Sequence, residues 1–256
     1  MEKDNATKTS SLIERINQNE NFQSFDINEW AFDKIKGSNN KLNVLELCCG
    51  NGKQTGYLLK CFPNAHLSCL DISAESIALV KKNNSAEAAR MTFYCEPIDD
   101  FFEKNKTLFD LVFCSYGLYY SSNINKVLAR INKGLNPGGR LIVMGPYGIN
   151  NKPLFDVLTG LGVTIAEPVI SSSSTFMSEV ILPFCIANFS DMHIYTAENK
   201  IAWNTVDSVM NYWKSSTFYA KDKEAAFENI IKAEIDRTGK FVNHKNIMLL
   251  ESIKHG

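Results

Sequence analysis

Residues 41–56 read KLNVLELCCGNGKQTG. Val44, Leu45 and Leu47 form the apolar run of a buried parallel strand, Cys48, Cys49, Gly50, Asn51 and Gly52 make a tight turn of small residues, and Lys53 to Lys60 continue as a helix. A strand, a glycine turn and a helix N-terminus together cradle a nucleotide-like ligand, because glycine lets the backbone come close and the first helix amides point outward. An ordinary strand-to-helix loop has the same outline. So does a dinucleotide site, since Gly50, Gly52 and Gly56 are spaced as GxGxxxG. Glu46 sharpens the choice. An acid inside an apolar strand, two residues before the turn, suits a cation and would repel a pyrophosphate in a partly desolvated site.

The hundred residues that follow repeat the strand–helix rhythm. Ala65–Leu70 is a second apolar strand ending on Asp71, whose carboxylate at the strand tip can accept two hydrogen bonds from ribose hydroxyls, with Ile72 beside it to pack on an adenine face. Asp71 could instead cap the helix Ala74–Asn83, but Ser73 is better placed for that. Met91–Cys95 is a third strand, and Glu96, Pro97 and Ile98 fall where it meets the ligand edge; Asp99 and Asp100 read as solvent-facing or helix-starting acids. A fourth strand, Phe109–Cys114, runs into Ser115, Tyr116, Gly117, Leu118, Tyr119 and Tyr120, a place for substrate contacts because ligands bind beyond the carboxyl ends of parallel strands. The helix Asn123–Leu135 follows, and Pro137-Gly138-Gly139 predicts a sharp turn into a fifth strand, Arg140–Met144.

In that order and at those spacings, ELCCGNG, LDIS, EPIDD, FDLVFCSYGLYY and LNPGGRLIVM resemble the class I S-adenosylmethionine-dependent methyltransferases over roughly residues 40–150. One departure is that Cys48 stands where the family usually has its first glycine. The resemblance implies an α/β fold: a seven-stranded Rossmann-like sheet, mostly parallel with the last strand antiparallel, helices on both faces and a small cap. It implies S-adenosyl-L-methionine as cofactor and S-adenosyl-L-homocysteine as product. Carried over by position, Glu46 sits near the methionine ammonium, and Cys48, Gly50 and Gly52 let the backbone approach. Asp71 holds the ribose hydroxyls, Ile72 and Ile98 sandwich adenine, Glu96 or Pro97 lies at its edge, and Ser115 and Tyr116 line the side facing the sulfonium methyl.

Composition is neutral on function. The 256 residues, 45% hydrophobic and 21% charged, can bury a full core as one domain or as one domain with a cap. A net charge of −1 gives no general pull toward nucleic acid or anionic membrane. No run of about 20 apolar residues exists, and the polar, frayed start MEKDNATKTSS lacks a signal-peptide core, so a cytoplasmic protein is the expectation. Seven cysteines without a CxxC pair read as reduced, buried small hydrophobes, and His66, His193, His244 and His255 are too scattered to suggest a metal.

Residues 1–40 predict two short helices, Leu12–Asn19 and Phe25–Lys36, with Phe22, Phe25, Trp30 and Phe32 forming either a lid across the cradle or an amphipathic face packed on the sheet. The domain reading is thus an N-terminal helical lid, 1–40, and a methyltransferase domain, 41–256, with a cap-like insertion at about 150–190. The resemblance assigns the sixth strand to Asp191–Asn204 and the antiparallel seventh to Phe241–Ile253, with helices Val206–Ser215 and Lys223–Thr238 between them. Trp203, Tyr212, Trp213, Phe218 and Tyr219 have the spacing of core residues more than of a pocket.

Methyl transfer needs orientation and water exclusion more than any single catalytic group, and Tyr119, Tyr147 and His193 are the candidate bases. The expected activity is methylation of an oxygen or nitrogen on a small-molecule acceptor, with no nucleic acid or membrane partner and with a homodimer as one compatible assembly. A nicotinamide-dependent oxidoreductase and a catalytically silent S-adenosylmethionine-binding partner subunit are the alternatives.

Overall fold

Strands β1 (Asn43–Leu47), β2 (His66–Asp71), β3 (Met91–Cys95), β4 (Phe109–Ser115) and β5 (Leu135–Pro146) pair in the order β3-β2-β1-β4-β5, all parallel. The structure is a computed structural model and describes residues 8–256. Residues 1–7 of the polar start lie outside the described residues, and Thr9 already opens a helix. The sheet continues through β9 (Ile247–Ile253) to β6 (Asp191–Ala197), giving seven strands. Gly138 N–H donates to Lys254 O at one end of β5 and Tyr147 N–H to Asn246 O just past the other, so β9 is antiparallel to it. The α/β fold expected from the sequence is the one observed.

Register places the ligand edge. Leu47 lies opposite Leu70 and Cys114, Asp71 opposite Cys95, and Ser115 opposite Met144, so residues 48–52, 71–73, 95–98 and 115–120 leave the sheet at the same carboxyl border. β1 joins β2 on one side and β4 on the other, which makes its end the switch point of an open α/β sheet.

The helices around the sheet are α3 (Lys53–Cys61), α4 (Ala74–Asn83), α5 (Ile98–Lys104) and α6 (Ile124–Gly134). Local chemistry starts them where the sequence indicated. The Ser73 hydroxyl accepts Ser76 N–H at the head of α4, and Asn123 accepts Lys126 N–H at the head of α6. Arg90 ties down the far end of α3 and the loop after it, donating to the carbonyls of Leu59, Phe62 and Ala65 at 3.0–3.1 Å while Glu87 holds its Nε at 2.7 Å.

Contacts divide the chain into two units, with boundaries other than residue 40 and residues 150–190. The sheet unit comprises residues 28–145, 177–196 and 248–256; the second comprises residues up to 27, 146–176 and 197–247. Of the expected N-terminal lid, α1 (Thr9–Glu20) belongs to the second unit and most of α2 (Ile27–Phe32) to the first. In the sheet unit Ala31, Phe32 and Ile35 are buried, and the Phe32 ring stacks on Tyr57 at 4.9 Å and meets Phe113 at 5.7 Å. These residues pack on the sheet.

Several segments depart from expectation. The stretch read as one strand over Asp191–Asn204 is two, β6 and β7 (Lys200–Trp203), and Phe241–Ile253 likewise splits into β8 (Phe241–His244) and β9. β7 and β8 pair antiparallel in a separate two-stranded sheet, so each long run breaks where it changes partner. The Pro137-Gly138-Gly139 turn is drawn into β5, because Gly138 N–H and Gly139 O both bond Lys254, at the cost of a register shift beside Phe109. Residues 152–188 hold helices α7 (Lys152–Gly160), α8 (Glu167–Ser174) and α9 (Leu182–Asn188), with the serine run helical inside α8.

The second unit closes on its own core through α10 (Val206–Lys214) and α11 (Glu224–Thr238), where Trp203, Tyr212, Trp213, Phe218 and Phe227 are buried together. Cys49, Cys69, Cys114 and Cys185 are buried as expected of small hydrophobes, whereas Cys95 is exposed at the tip of β3. No single helix among the described residues is long and apolar enough to cross a membrane.

Because Arg90 satisfies three carbonyls at the end of the helix that carries the glycine turn, Arg90→Met should lower unfolding stability by about 2 kcal/mol. Urea unfolding of the variant beside the wild type checks this; a change within about 0.5 kcal/mol counts against it.

Candidate functional site

The turn after β1 is built from left-handed backbone. Cys48, Gly50 and Gly52 have φ of 56°, 54° and 80°. Gly52 could carry no side chain, since a Cβ there would lie 3.0 Å from Val80 Cγ2 and 3.2 Å from Val80 Cα. Cys48 keeps the conformation of the glycine it replaces despite its side chain, and the residue that makes room is Gly117. A Cβ on Gly117 would fall 2.4 Å from Cys48 Cβ and 2.6 Å from its Sγ. The glycine that gives the Cys48 side chain its space lies on the facing loop after β4.

Glu46 is 1% exposed, and Thr55 in the first turns of α3 donates to its Oε2 at 2.6 Å. Cys69 Sγ lies 3.8 Å from the same oxygen. Burial raises the Glu46 pKa from 4.5 to about 8, against the lowering effect of the bonds from Thr55 and Cys69; the charge of Asp71 adds to the rise. This carboxyl is therefore poised to ionise when a cation arrives. Asp71 at the tip of β2 accepts Gly50 N–H at 2.9 Å with one oxygen and Ser73 N–H at 2.9 Å with the other. A carboxylate has about four acceptor positions, so each oxygen retains one for a ligand hydroxyl.

Beside Asp71, Ile72 is 59% exposed, an apolar surface that a flat ring can cover, while Ile98 at the start of α5 is buried. Pro97 occupies the N-cap of α5, and the Glu96 side chain is spent on Lys104 at 2.9 Å. Glu96 N–H donates to Asp71 O, which leaves the Glu96 backbone, and not its carboxylate, fastened at this edge. Asp99 stands in the first turn of α5, as expected of a helix-starting acid, and its carboxylate also gathers Ser121, Ser122 and Asn123. Partial burial opposes its ionisation, but those bonds outweigh burial and lower its pKa. It thereby anchors the loop behind Tyr119 and Tyr120.

At the end of β4 the Ser115 hydroxyl is buried and has no partner among the described residues, and Tyr116 holds a left-handed φ of 55°. A buried orphan hydroxyl and a left-handed backbone thus coincide at the end of one strand.

The candidate bases scatter. Tyr119 lies on this border, in the turn Leu118–Tyr120, with its ring 4.8 Å from that of Tyr120. Tyr147 directly follows β5 in the second unit, its N–H bound to Asn246 O. His193 is exposed near the start of β6, the outermost strand, with β5 and β9 between it and β4; the structure does not bring it to the cradle. Thr55 and Gly117 are the site residues that sequence reasoning missed.

A methyltransferase-domain family model matches residues 44–139, the span from β1 to the beginning of β5. That match, with the strand order, identifies residues 44–139 as a methyltransferase domain similar to those of the class I S-adenosylmethionine-dependent methyltransferases. Malonyl-(acyl-carrier protein) O-methyltransferase 1 of Ilyobacter polytropus is 22% identical over 95% of this chain and 97% of its own length. Demethylmenaquinone methyltransferase of Lactococcus lactis is 28% identical over 52% of this chain and 53% of its own, so the match spans about half of that relative. Among solved structures, the YcgJ protein of Bacillus subtilis superposes with a TM-score of 0.62 at 13% identity, over 90% of this chain and 98% of that one. A Haemonchus contortus phosphoethanolamine N-methyltransferase 2, solved with S-adenosyl-L-methionine, gives 0.54 at 15% identity over 90% and 52%. These likenesses bear on the fold. The acid, the glycines and the orphan hydroxyl just described suit a ligand with a cationic end and a sugar.

Two expectations follow. Gly117→Ala should cost about 1–3 kcal/mol through overpacking against Cys48 and weaken S-adenosylhomocysteine binding at least tenfold, while Cys48→Gly in the same chain restores both. Calorimetry on the two single variants and the double variant decides it, and additive losses would refute the reciprocity.

For Glu46, a folded pKa above the unfolded one means the native state binds the extra proton between about pH 4.5 and 8, so its contribution to stability is complete below 4.5 and is lost as pH rises through 8. Thermal unfolding from pH 5 to 8 should show wild type losing stability relative to Glu46→Gln, at up to roughly 1.4 kcal/mol per pH unit. Parallel profiles would show that Glu46 is not held neutral.

Proposed function

We propose that this methyltransferase acts on an oxygen or nitrogen of a small-molecule acceptor. The observation that carries the cofactor half of the reading is the neutral, fully buried Glu46 one strand from Asp71, a pairing that fits an ammonium at one end of the ligand and ribose hydroxyls at the other. On this reading Cys48, Gly50 and Gly52 line the approach of the cofactor, Ile72 and Ile98 flank adenine with Glu96 or Pro97 at its edge, and Ser115 and Tyr116 face the reacting methyl. Acceptor selection belongs to chain outside residues 44–139, including the N-terminal segment 1–40 and the insertion at 150–190. The small-molecule class draws on the near-neutral net charge and on relatives named for a malonyl carrier-protein ester and a quinone.

Bound S-adenosylmethionine supplies a methyl on a sulfonium leaving group. The chain's own task is to align the nucleophile and exclude water, which is worth about 7–11 kcal/mol as effective molarity. A positioned base adds a further 10²–10⁴-fold or so. Tyr119, on the carboxyl border of the sheet, is the candidate we retain for that base; Tyr147 is a second, and His193 is set aside because β6 carries it away from the border. The nicotinamide alternative is disfavoured by the carboxyl at Glu46 and by the family match.

Titration with S-adenosylhomocysteine in buffers of different ionisation enthalpy tests the reading. Near pH 7 the wild type should release close to one proton on binding as Glu46 ionises beside the ligand ammonium, Glu46→Gln should release none, and Asp71→Ala should bind at least tenfold more weakly. No binding heat in the wild type would overturn the assignment of the site. Product formation on a panel of oxygen and nitrogen acceptors then separates an enzyme from a silent cofactor-binding subunit.

A further inference from the structure

A second polar cluster lies wholly within the other unit. Asn151 Oδ1 receives Lys245 Nζ at 2.7 Å, Asn243 Nδ2 at 3.1 Å and the Tyr212 hydroxyl at 3.4 Å. Three converging donors require the oxygen, and not the nitrogen, of that amide to stand here. A carbonyl oxygen has two lone pairs. The two shorter bonds use them, so the Tyr212 proton is the one left poorly held. Lys245 Nζ also donates to the Tyr212 oxygen and sits 4.6 Å from the centroid of its ring, which accounts for two of the three ammonium protons.

The surroundings are neutral and largely buried. Tyr212, Asn151 and Asn243 are buried, and among the described residues no carboxylate pairs with Lys245. Lys152 has Asp156 at 2.7 Å and Lys200 has Glu198 at 3.8 Å; His244 Nδ1 is 3.1 Å from that same Glu198 oxygen. Two further features show a network short of a member: Asn243 Oδ1, fully buried, lacks a donor among the described residues, which a ligand hydroxyl and not its carboxylate would supply, and Asn151 is held at a left-handed φ of 59°. A partly buried cation among neutral dipoles gains most from a counter-charge brought by a ligand.

We propose that Lys245 and Tyr212 bind the carboxylate of a small organic acid, one oxygen taking the spare Lys245 proton and the other the Tyr212 hydroxyl. A single positive charge matches a monoanion and under-compensates a phosphate dianion.

The test is a titration of the full chain with sodium lactate at constant ionic strength, followed by tryptophan fluorescence, because the Trp203 ring lies 5.0 Å from that of Tyr212. Phosphate and chloride serve as controls, and S-adenosylhomocysteine affinity is measured on the same samples. Saturable lactate binding in the wild type, weakened at least tenfold in both Lys245→Met and Tyr212→Phe, is the expected result. An equal response to chloride or phosphate, no saturation, or Tyr212→Phe titrating like the wild type overturns the site; should Lys245→Met not fold, Tyr212→Phe alone decides. Lactate binding without S-adenosylhomocysteine binding would sink the methyl-transfer reading and leave this site standing, and the converse would do the opposite.

Discussion

A carboxyl group buried at the end of an apolar strand is the constraint around which this cradle is arranged. Glu46 sits between Leu45 and Leu47, where an ionised carboxylate without partners would be prohibitively costly, so burial favours its protonated form while Thr55 and Cys69 give its oxygen partners and temper that rise. The Thr55 bond has a second consequence. It joins the end of β1 to the first turns of α3, fixing the helix whose opening amides border the glycine turn. The same contact that makes the acid tolerable therefore sets the geometry of the glycine turn.

The turn itself shows that backbone conformation, and not residue type, is what the fold requires. Cys48 adopts a left-handed φ that glycine would take more easily, and it can do so because Gly117 has no side chain to collide with. The two loops share one small volume, and either can contribute the atom that fills it. A departure from a family pattern at one position is thus balanced by a constraint at another, and only the folded chain brings the two together.

That distinction governs what was legible in the sequence. From Asn43 to Met144 each strand is a short apolar run closed by a polar or small residue, and apart from the β1–β4 crossover each pairs with the strand next to it in sequence, so the elements could be read directly. Beyond residue 150 that locality ends. The runs 191–204 and 241–253 each look like one strand, and nothing within them says that their halves pair with different sheets. The serine run 171–174 has poor intrinsic helix preference and is helical nonetheless. His193 has the chemistry of a base but lies on an outer strand, a fact carried by sheet order and invisible in composition.

The Lys245 cluster marks the limit of such reading. Its members come from the loop before α7, from α10, from β8 and from the link between β8 and β9, and none has a neighbour in sequence that announces it. What makes it chemically informative is a count of lone pairs and protons: one amide oxygen with three donors, one ammonium with a proton to spare, one buried amide oxygen without a donor. A hydrophobic core tolerates such arithmetic badly, because each unmatched group forfeits its hydration with no return. The second unit has ample apolar material in Trp203, Trp213 and Phe227 to close its core without these residues, so packing alone gives no reason for an unopposed cation among buried amides. A ligand that brings the missing charge does.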